Sequence, residues 1–336
     1  MARPLSRQRV KPRVGTIRPA SGALAALLIA ASIAAHAQGY PNRPLRIVAP
    51  SSAGSAADTL ARVVAPLLAE RIGQPVVVDT RPGASTIVGT DAVAKAAPDG
   101  HTLLIALPAL AINPSIYGTL PYDALRDLAA ITQAVSQPNL LVVHPSLPAK
   151  SVKELIALAR ARPGELIYAS SGVGAGSHLT VELLLLMTRT RMLHVPYKGP
   201  GPGLIDLIAG RVTLAAPSTT VTLPHVRSGR LRALAVTTAK RVTGLPDIPS
   251  VAETGVAGYE AVSWFGFVAP GGTPKDVIAR LNREIVSILR TPETTERFAR
   301  EGAEVVASLP EEFERYIASE AVKWAQVVKN AGIKPE

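Results

Sequence analysis

The segment Leu45–Arg71, LRIVAPSSAGSAADTLARVVAPLLAER, decides the fold. Its first six residues, Leu45–Pro50, are mostly apolar and predict a strand, and the apolar residues at three- and four-residue spacing in its second half predict a helix. The small residues Ser51–Ala57 form the turn between them. At the carboxyl edge of an α/β sheet, such a turn presents unpaired helix N–H groups that favour an anion. The segment therefore predicts a candidate anion site, although an ordinary turn capped by Ser55 or Asp58 fits the same residues.

The strand, turn and helix pattern recurs along the chain. The β-branched segment Pro75–Thr80 leads into the turn Arg81–Thr86, and Leu166–Ser170 leads into the glycine-containing turn Ser170–His178. Asn113–Tyr122 is instead punctuated by Pro and Gly, and no helix is predicted there. Alternation of strands and helices predicts the α/β class, with mostly parallel sheets flanked by helices.

The first 37 of the 336 residues have the features of an export signal. Six basic residues and no acidic one accompany the apolar run Ala23–Ala35, and Ala35-His36-Ala37 fits an A-x-A cleavage site. We expect the mature chain to begin near Gln38 and to reach the periplasm. No later segment approaches ~20 unbroken apolar residues, so a soluble protein is expected. About 299 residues remain after cleavage, which exceeds the usual size of one compact unit and favours two domains.

Charge and composition restrict the class of partner. Removing the six basic residues of the leader lowers the formal net charge from +11 to +5. The remaining basic residues are interspersed with acidic ones, and aromatic residues are only 4% of the chain, so a nucleic-acid partner is not expected. The chain has no Cys, and an exported protein without disulfides depends on its hydrophobic core.

Motifs for catalysis or metal binding are weak. Gly172–Ser177 resembles a dinucleotide-binding turn, but Ser177 stands where that motif has glycine. There is no G-x-S-x-G elbow, and a Ser177 nucleophile beside His178 in sequence would be unusual because triad partners meet in space. The six histidines do not pair at metal-ligand spacing. We therefore expect no metal, no cofactor and no enzymatic activity, with a periplasmic hydrolase as the alternative.

Polar small-residue turns after the strands are the stronger candidate site. If two sheets face each other across a cleft, these turns supply N–H groups and hydroxyls to one small anion. His178, in the first turn of a predicted helix, would line that cleft or fill a structural role. Arg81 and Lys198 would neutralise a carboxylate or remain solvated.

Eight motifs between Tyr40 and Ile333 resemble, in order, those of one family. They are Tyr40–Pro44, Pro50–Asp58, Gly73–Val78, Arg81–Ala84, Ala97–Gly100, Ser170–Gly172, His194–Gly199 and Leu231–Thr237. The resemblance is to the Bug family of extracytoplasmic solute receptors, which are linked to tripartite tricarboxylate transporters. Together the motifs are far more specific than any one of them.

The resemblance implies a two-domain periplasmic binding protein of the Venus-flytrap kind, type II-like. Residues 40–141 plus 260–336 would form domain 1, residues 142–259 would form domain 2, and residues 1–37 would be the signal peptide. Ile131–His144 and Ala261–Ala269 would be the strands that cross between the domains. The protein would bind a small carboxylate or related molecule as a monomer and pass it to the membrane permease subunits of a tripartite transporter. A receptor that reports to a signalling partner is the alternative within binding proteins.

The resemblance also places two walls of a ligand site. The first-domain wall would be Ser52, Gly54, Ser55, Ala56, Asp58, Ser85 and Thr86. The opposing wall would be Ser171, Gly172, Gly174, Ser177, His178, Tyr197 and Ser218. The family commonly has Gly-Gly where this chain has Ser85-Thr86, so a narrower pocket and a hydroxyl-rich carboxylate are expected.

Overall fold

Eleven strands and ten helices lie in the described part of the computed structural model, residues 39–197, 200–242, 244–300 and 302–334. The predicted signal peptide and Lys198 lie outside these residues, and Arg43–Glu336 form the unit described below. The strands are β1 (Leu45–Ala49), β2 (Val76–Thr80), β3 (Thr102–Ala106), β4 (Leu128–Pro138), β5 (Leu140–Val143), β6 (Ile167–Ser170), β7 (Leu193–Pro196), β8 (Leu214–Ala215), β9 (Arg232–Val236), β10 (Val262–Pro270) and β11 (Glu304–Val305). The helices are α1 (Ala56–Ile72), α2 (Ile87–Ala94), α3 (Ala109–Ile116), α4 (Val152–Ala161), α5 (Gly176–Thr188), α6 (Pro200–Ile208), α7 (Thr219–Arg227), α8 (Lys275–Leu289), α9 (Pro292–Arg300) and α10 (Pro310–Ala331).

The first sheet has the strand order β11-β4-β10-β3-β1-β2. Strand β1 of the predicted opening unit lies one strand from the edge, parallel to both β2 and β3, with Ile47 opposite Val78 on one side and Leu103 on the other. Because β1 and β3 are apolar and buried on both faces, they take interior positions between the edge strands. Strand β10 runs antiparallel to both β3 and β4.

The second sheet has the strand order β7-β6-β8-β5-β9 and repeats the arrangement of the first. In each sheet three neighbouring parallel strands are followed by an antiparallel strand, after which the first sheet has two further strands and the second sheet has one. The two-sheet α/β fold is confirmed, but both sheets are mixed rather than mostly parallel. The reason is that β10 and β5, which connect the two halves of the chain, run against their βα neighbours.

The chain passes between the sheets at two adjacent points. Asn139 is the single residue between β4 of the first sheet and β5 of the second. The return passage leads from Thr237 through Ala261 into β10, and the Ala261 N–H donates to the Thr237 carbonyl at 2.9 Å. The Thr237 N–H donates to the Asn139 carbonyl at 3.0 Å, and the Asn139 N–H donates to the Thr237 hydroxyl at 3.0 Å. That hydroxyl in turn donates to the Asn139 carbonyl at 3.2 Å. The predicted boundary between residues 141 and 142 falls within β5.

Helices cover the faces of both sheets and bury the core. Trp264 and Phe313 pack edge to face in the core of the first sheet, and Tyr168 and Leu214 lie in the core of the second. Helix α10 packs against α3 beside the first sheet and against α5 beside the second. Among the described residues, no helix combines the length and apolar character that crossing a membrane requires.

Candidate ligand-binding site

A cavity of about 490 Å³, called the cleft below, lies where loops from the two sheets meet. From the first sheet come the turn after β2 and the segment after β3, and from the second come the loops after β6 and β7. Two residues of β10 complete the lining. The lining residues are Ser85, Thr86, Leu107, Pro108, Ala109, Ile112, Asn113, Ile116, Tyr117, Ser171, Gly172, Val173, Gly174, Ala175, Gly176, Tyr197, Ser263 and Phe265.

The first wall contains a strained turn. Ala84, Ser85 and Thr86 have φ values of 45°, 50° and 77°, so three consecutive residues with side chains adopt the left-handed conformation. This conformation costs roughly 1–2 kcal/mol for each such residue. Two side chains of the α3 segment hold it in place: Asn113 Nδ2 donates to the Ser85 carbonyl at 2.8 Å, and Tyr117 Oη lies 2.9 Å from Ser85 Oγ. Strain that surrounding contacts maintain is typical of functional sites.

The second wall is the glycine loop, defined here as Ser171–Ala175. Gly172 and Gly174 have φ values of 130° and 73°, a conformation that favours glycine over any residue with a side chain. Helix α5 begins directly after the loop, and Ala175 at its N-cap has no side chain that can cap it. The N-terminal end of α5, at Ala175 and Gly176, therefore lies at the cleft without a side-chain cap, an arrangement that favours a negative charge.

The lining residues of the cleft are neutral. The lining contains hydroxyl and amide side chains together with a larger set of apolar residues that includes Leu107, Ile112 and Phe265. Tyr197 is neutral like any tyrosine at ordinary pH, and burial, reinforced by its hydrogen bond to Asp206, raises its pKa further, to about 12. A ligand anion in this cleft must be held by N–H and hydroxyl donors, and its carbon skeleton meets an apolar surface.

Six of the predicted site residues meet in the cleft: Ser85, Thr86, Ser171, Gly172, Gly174 and Tyr197. The other eight do not line it: Ser52, Gly54, Ser55, Ala56, Asp58, Ser177, His178 and Ser218. Ser218 lies at the N-cap of α7 and pairs with Asn139 through an isolated β-bridge, which places it near the crossing point of the chain.

The turn after β1 has structural contacts of its own. Ser55 caps α1 by accepting a hydrogen bond from the Asp58 N–H, which agrees with the ordinary-turn alternative. Asp58 is 2% exposed, accepts from the Gly54 N–H at 2.9 Å and forms an ion pair with Arg62 at 2.9 Å. The hydrogen bond from Arg62 is the main reason why the pKa of Asp58 is lowered. Arg81 likewise pairs with Asp79, at 2.7 Å, outside the cleft.

Ser177 and His178 support the glycine loop from behind. Ser177 Oγ accepts a hydrogen bond from the Ser171 N–H at 3.0 Å. His178 is 4% exposed, and its Nδ1 lies 3.0 Å from the Gly174 nitrogen, which donates to it. Its ring stacks on that of His194, with centroids 3.8 Å apart and planes inclined by 7°. Burial lowers the pKa of His178 to about 3, with a further contribution from His194, and burial lowers that of His194 to about 4.

The sequence interpretation missed the lining residues of α3. Pro114 and Gly118 suggested an irregular segment, but Pro114 lies inside the helix, and α3 contributes Ile112, Asn113 and Ile116 to the cleft. The alternation of strands and helices along the chain could have predicted α3, because a strand such as β3 is normally followed by a helix in the α/β class. Among the described residues, no group of three or more His, Cys, Asp or Glu side chains is arranged to hold a metal ion.

Comparison with known proteins identifies similar chains. Residues 60–333 match the family described as "Tripartite tricarboxylate transporter family receptor". The protein BugT of Bordetella pertussis is 40% identical over 297 residues, which cover 88% of this chain and 91% of BugT.

Solved structures of the same kind cover nearly the whole described chain. A protein of R. palustris solved with adipate is 40% identical, with a TM-score of 0.77, and the match covers 88% of this chain and 100% of that one. MatC from Rhodopseudomonas palustris, solved with bound malate, is 28% identical, with a TM-score of 0.73 and coverage of 86% and 100%. The periplasmic binding protein BugD is 34% identical, with a TM-score of 0.74 and coverage of 88% and 100%.

Proposed function

The chain belongs to the tripartite tricarboxylate transporter receptor family, and on that premise we propose that it captures a small carboxylate in the cleft for a membrane transporter. It is a solute-binding receptor of the Bug kind. The observation that carries the proposal is the neutral cleft of about 490 Å³ between two sheets, with hydroxyl and N–H donors on both walls. Such a site binds an anion through many modest hydrogen bonds instead of one strong charge.

We propose that the carboxylate lies between the strained turn Ala84–Thr86 and the glycine loop. Ser85, Thr86 and Ser171 supply hydroxyls there, and the uncapped end of α5 supplies a favourable dipole. The apolar surface contributed by α3 and Phe265 receives the carbon skeleton. This surface favours a ligand with a hydrocarbon segment, such as the adipate bound by the similar protein, over the hydroxyl-rich ligand expected from the sequence.

The remaining parts of the proposal concern location and partners. The leader directs the chain to the periplasm and is cleaved near Gln38, and the mature monomer delivers its ligand to the permease subunits without chemical conversion. The two domains are residues 40–141 plus 260–336 and residues 142–259, and they close about the crossing point at Asn139 and Thr237. The hydrogen bonds between these two residues support a hinge at this position.

Thermal unfolding of the mature chain against mono-, di- and tricarboxylates tests the proposal. A ligand at 100 times its dissociation constant stabilises the folded state by about 2.7 kcal/mol, which raises the unfolding midpoint by several degrees. Recovery of that ligand intact separates a receptor from a hydrolase. Ser85→Ala should weaken binding, whereas Ser319→Ala, on the exposed side of α10, should not. If no carboxylate raises the midpoint, the proposed ligand class is wrong.

A further inference from the structure

A buried imidazole, that of His178, and a half-buried one, that of His194, lie directly behind the glycine loop. His178 in α5 and His194 in β7 stack face to face, and the Tyr168 ring continues the stack at 4.8 Å from His194. His178 is 4% exposed, and neither histidine lines the cleft. The loop that forms one wall of the ligand site therefore rests on a stack of aromatic rings.

The two imidazoles support the loop at different points, His178 by a direct hydrogen bond and His194 through Ser170, the residue before the loop. His178 Nδ1 accepts the hydrogen bond of the Gly174 N–H at 3.0 Å. His194 Nε2 lies 2.6 Å from Ser170 Oγ, and that hydroxyl also lies 3.0 Å from the Gly172 carbonyl oxygen and 3.2 Å from the Gly172 nitrogen. Both left-handed glycines of the loop are thus held by the histidine pair, one directly and one through Ser170.

The bond to Gly174 fixes the protonation state of His178. A backbone N–H only donates, so the Nδ1 that accepts it carries no proton, and the single ring proton is on Nε2. Nε2 lies 3.8 Å from Glu182 Oε1, whose carboxyl group also accepts the Tyr168 hydroxyl. The titratable groups facing His178 are His194, Tyr168 and Glu182.

We propose that His178 is a positioning residue of the ligand site: its neutral Nδ1 holds the Gly174 N–H and so fixes the glycine loop in the shape that binds ligand, without contacting the ligand. This inference rests on the proposed function of the cleft, but its structural part does not depend on which ligand binds. Protonation of Nδ1 would place two donors against each other and release the loop. Burial lowers the pKa of His178 to about 3, which keeps the ring neutral at ordinary pH.

The direct test uses the mature wild-type chain without ligand. Two-bond ¹H–¹⁵N correlation spectra identify the tautomer, and amide hydrogen exchange reports on Gly174. We expect an unprotonated Nδ1 and a protected Gly174 amide from neutral pH down to about pH 4, with protection lost as the ring titrates. A ring that carries its proton on Nδ1, or an unprotected Gly174 amide at pH 7, would overturn the proposal.

Two substitutions separate positioning from packing. His178→Asn places an amide oxygen where Nδ1 lies, whereas His178→Leu keeps the bulk and removes the acceptor. We expect Asn to keep Gly174 protected and to bind adipate within about threefold of wild type, and Leu to lose protection and to bind about tenfold more weakly. His225→Leu, on α7, is the control for replacing a histidine outside the cleft.

The outcomes distinguish this inference from the proposed function. If adipate does not bind the wild-type chain, that ligand is excluded, while the tautomer and the Gly174 exchange still decide the role of His178. If adipate binds and His178→Leu binds it as tightly as His178→Asn, His178 is only a packing residue. If His178→Leu does not fold, the wild-type tautomer and exchange data give the decision.

Discussion

Substituting Gly174 by alanine tests whether the two walls of the cleft are in contact when ligand is bound. A Cβ on Gly174 would approach Cδ1 of Ile116 to well under 3.0 Å, a separation that real Cβ atoms essentially never show. Gly174 belongs to the second-sheet wall and Ile116 to α3 on the opposite wall, so this contact spans the cleft. Gly174 also has a φ of 73°, which strains any residue with a side chain whether or not the cleft is closed.

The two effects have different sizes and different signatures. The left-handed backbone costs roughly 1–2 kcal/mol and lowers the stability of the free protein. The overlap can be relieved by rotating the end of the Ile116 side chain away from its preferred rotamer, which costs about 0.5–1.5 kcal/mol. Since the overlap requires the two walls to be together, we expect this second cost to weaken ligand affinity by about 2- to 13-fold.

Three companion variants separate the contributions. Gly164→Ala has nearly the same φ, +80°, with open space around the added Cβ, so it should lose the same stability and bind normally. Ile116→Val removes the Cδ1 atom that the new methyl group meets. Combined with Gly174→Ala, it should restore affinity and leave the stability loss in place. Denaturant unfolding measures the stability, and calorimetric titration with the carboxylate that gives the largest thermal shift measures the affinity.

Either of two results would refute the closure argument. Unchanged affinity in Gly174→Ala would mean that Ile116 and Gly174 are not in contact when ligand is bound. Weakened affinity that Ile116→Val does not restore would mean that the added methyl group obstructs something other than Cδ1.

Three further predictions follow from the site. Lowering the pH from 6.5 towards 4 should destabilise the free protein by at most about 1.4 kcal/mol per pH unit for each of His178 and His194. Folding lowers the pKa of His178 to about 3 and that of His194 to about 4, so the unfolded chain takes up protons at a higher pH than the folded chain does. Urea unfolding across this range checks the sign, and stability that rises on acidification would contradict it. Asp58→Ala should lower the stability by about 1–3 kcal/mol, because the bonds of the buried side chain to Arg62 and to the Gly54 N–H are lost. The affinity for the carboxylate ligand should change less than twofold, and a large loss of affinity measured by calorimetry would show that Asp58 belongs to the ligand site. Tyr117→Phe removes a partner of Ser85 Oγ and should weaken binding about three- to tenfold, and unchanged binding would show that the strained turn does not need this contact.

The strands and helices that follow simple patterns were predictable from the sequence. Leu45–Arg71 forms an interior strand and the helix after it because the apolar residues follow one period in each half. Helix α3 was not predictable from Pro114 and Gly118, because packing against α10 and the cores of both sheets outweighs local preference there. The mixed direction of the sheets depends on where the two crossing strands insert, and no local pattern specifies that.

The candidate site was predictable only in its types of residue. Small polar turns after strands predicted Ser85, Thr86, Ser171, Gly172 and Gly174 as ligand-binding residues, and these five residues line the cleft. Their contact with a ligand stays a prediction. The family resemblance placed His178 in the wall of the site, but it lies behind the loop, and a buried and a cleft-lining histidine look the same in sequence. Its stacking partner His194 comes from a different strand, and only the fold brings the two rings within 3.8 Å.

Each wall of the cleft has a fixed left-handed backbone, but the two walls obtain it in opposite ways. On the first wall, residues with side chains occupy a conformation suited to glycine, and contacts from Asn113 and Tyr117 maintain it. On the second, glycines occupy that conformation freely, and a loop of this kind would be mobile unless something fixed it. The bond from Gly174 to His178 supplies that restraint. Because binding then requires little ordering of either wall, neutral donors alone are sufficient to hold an anion.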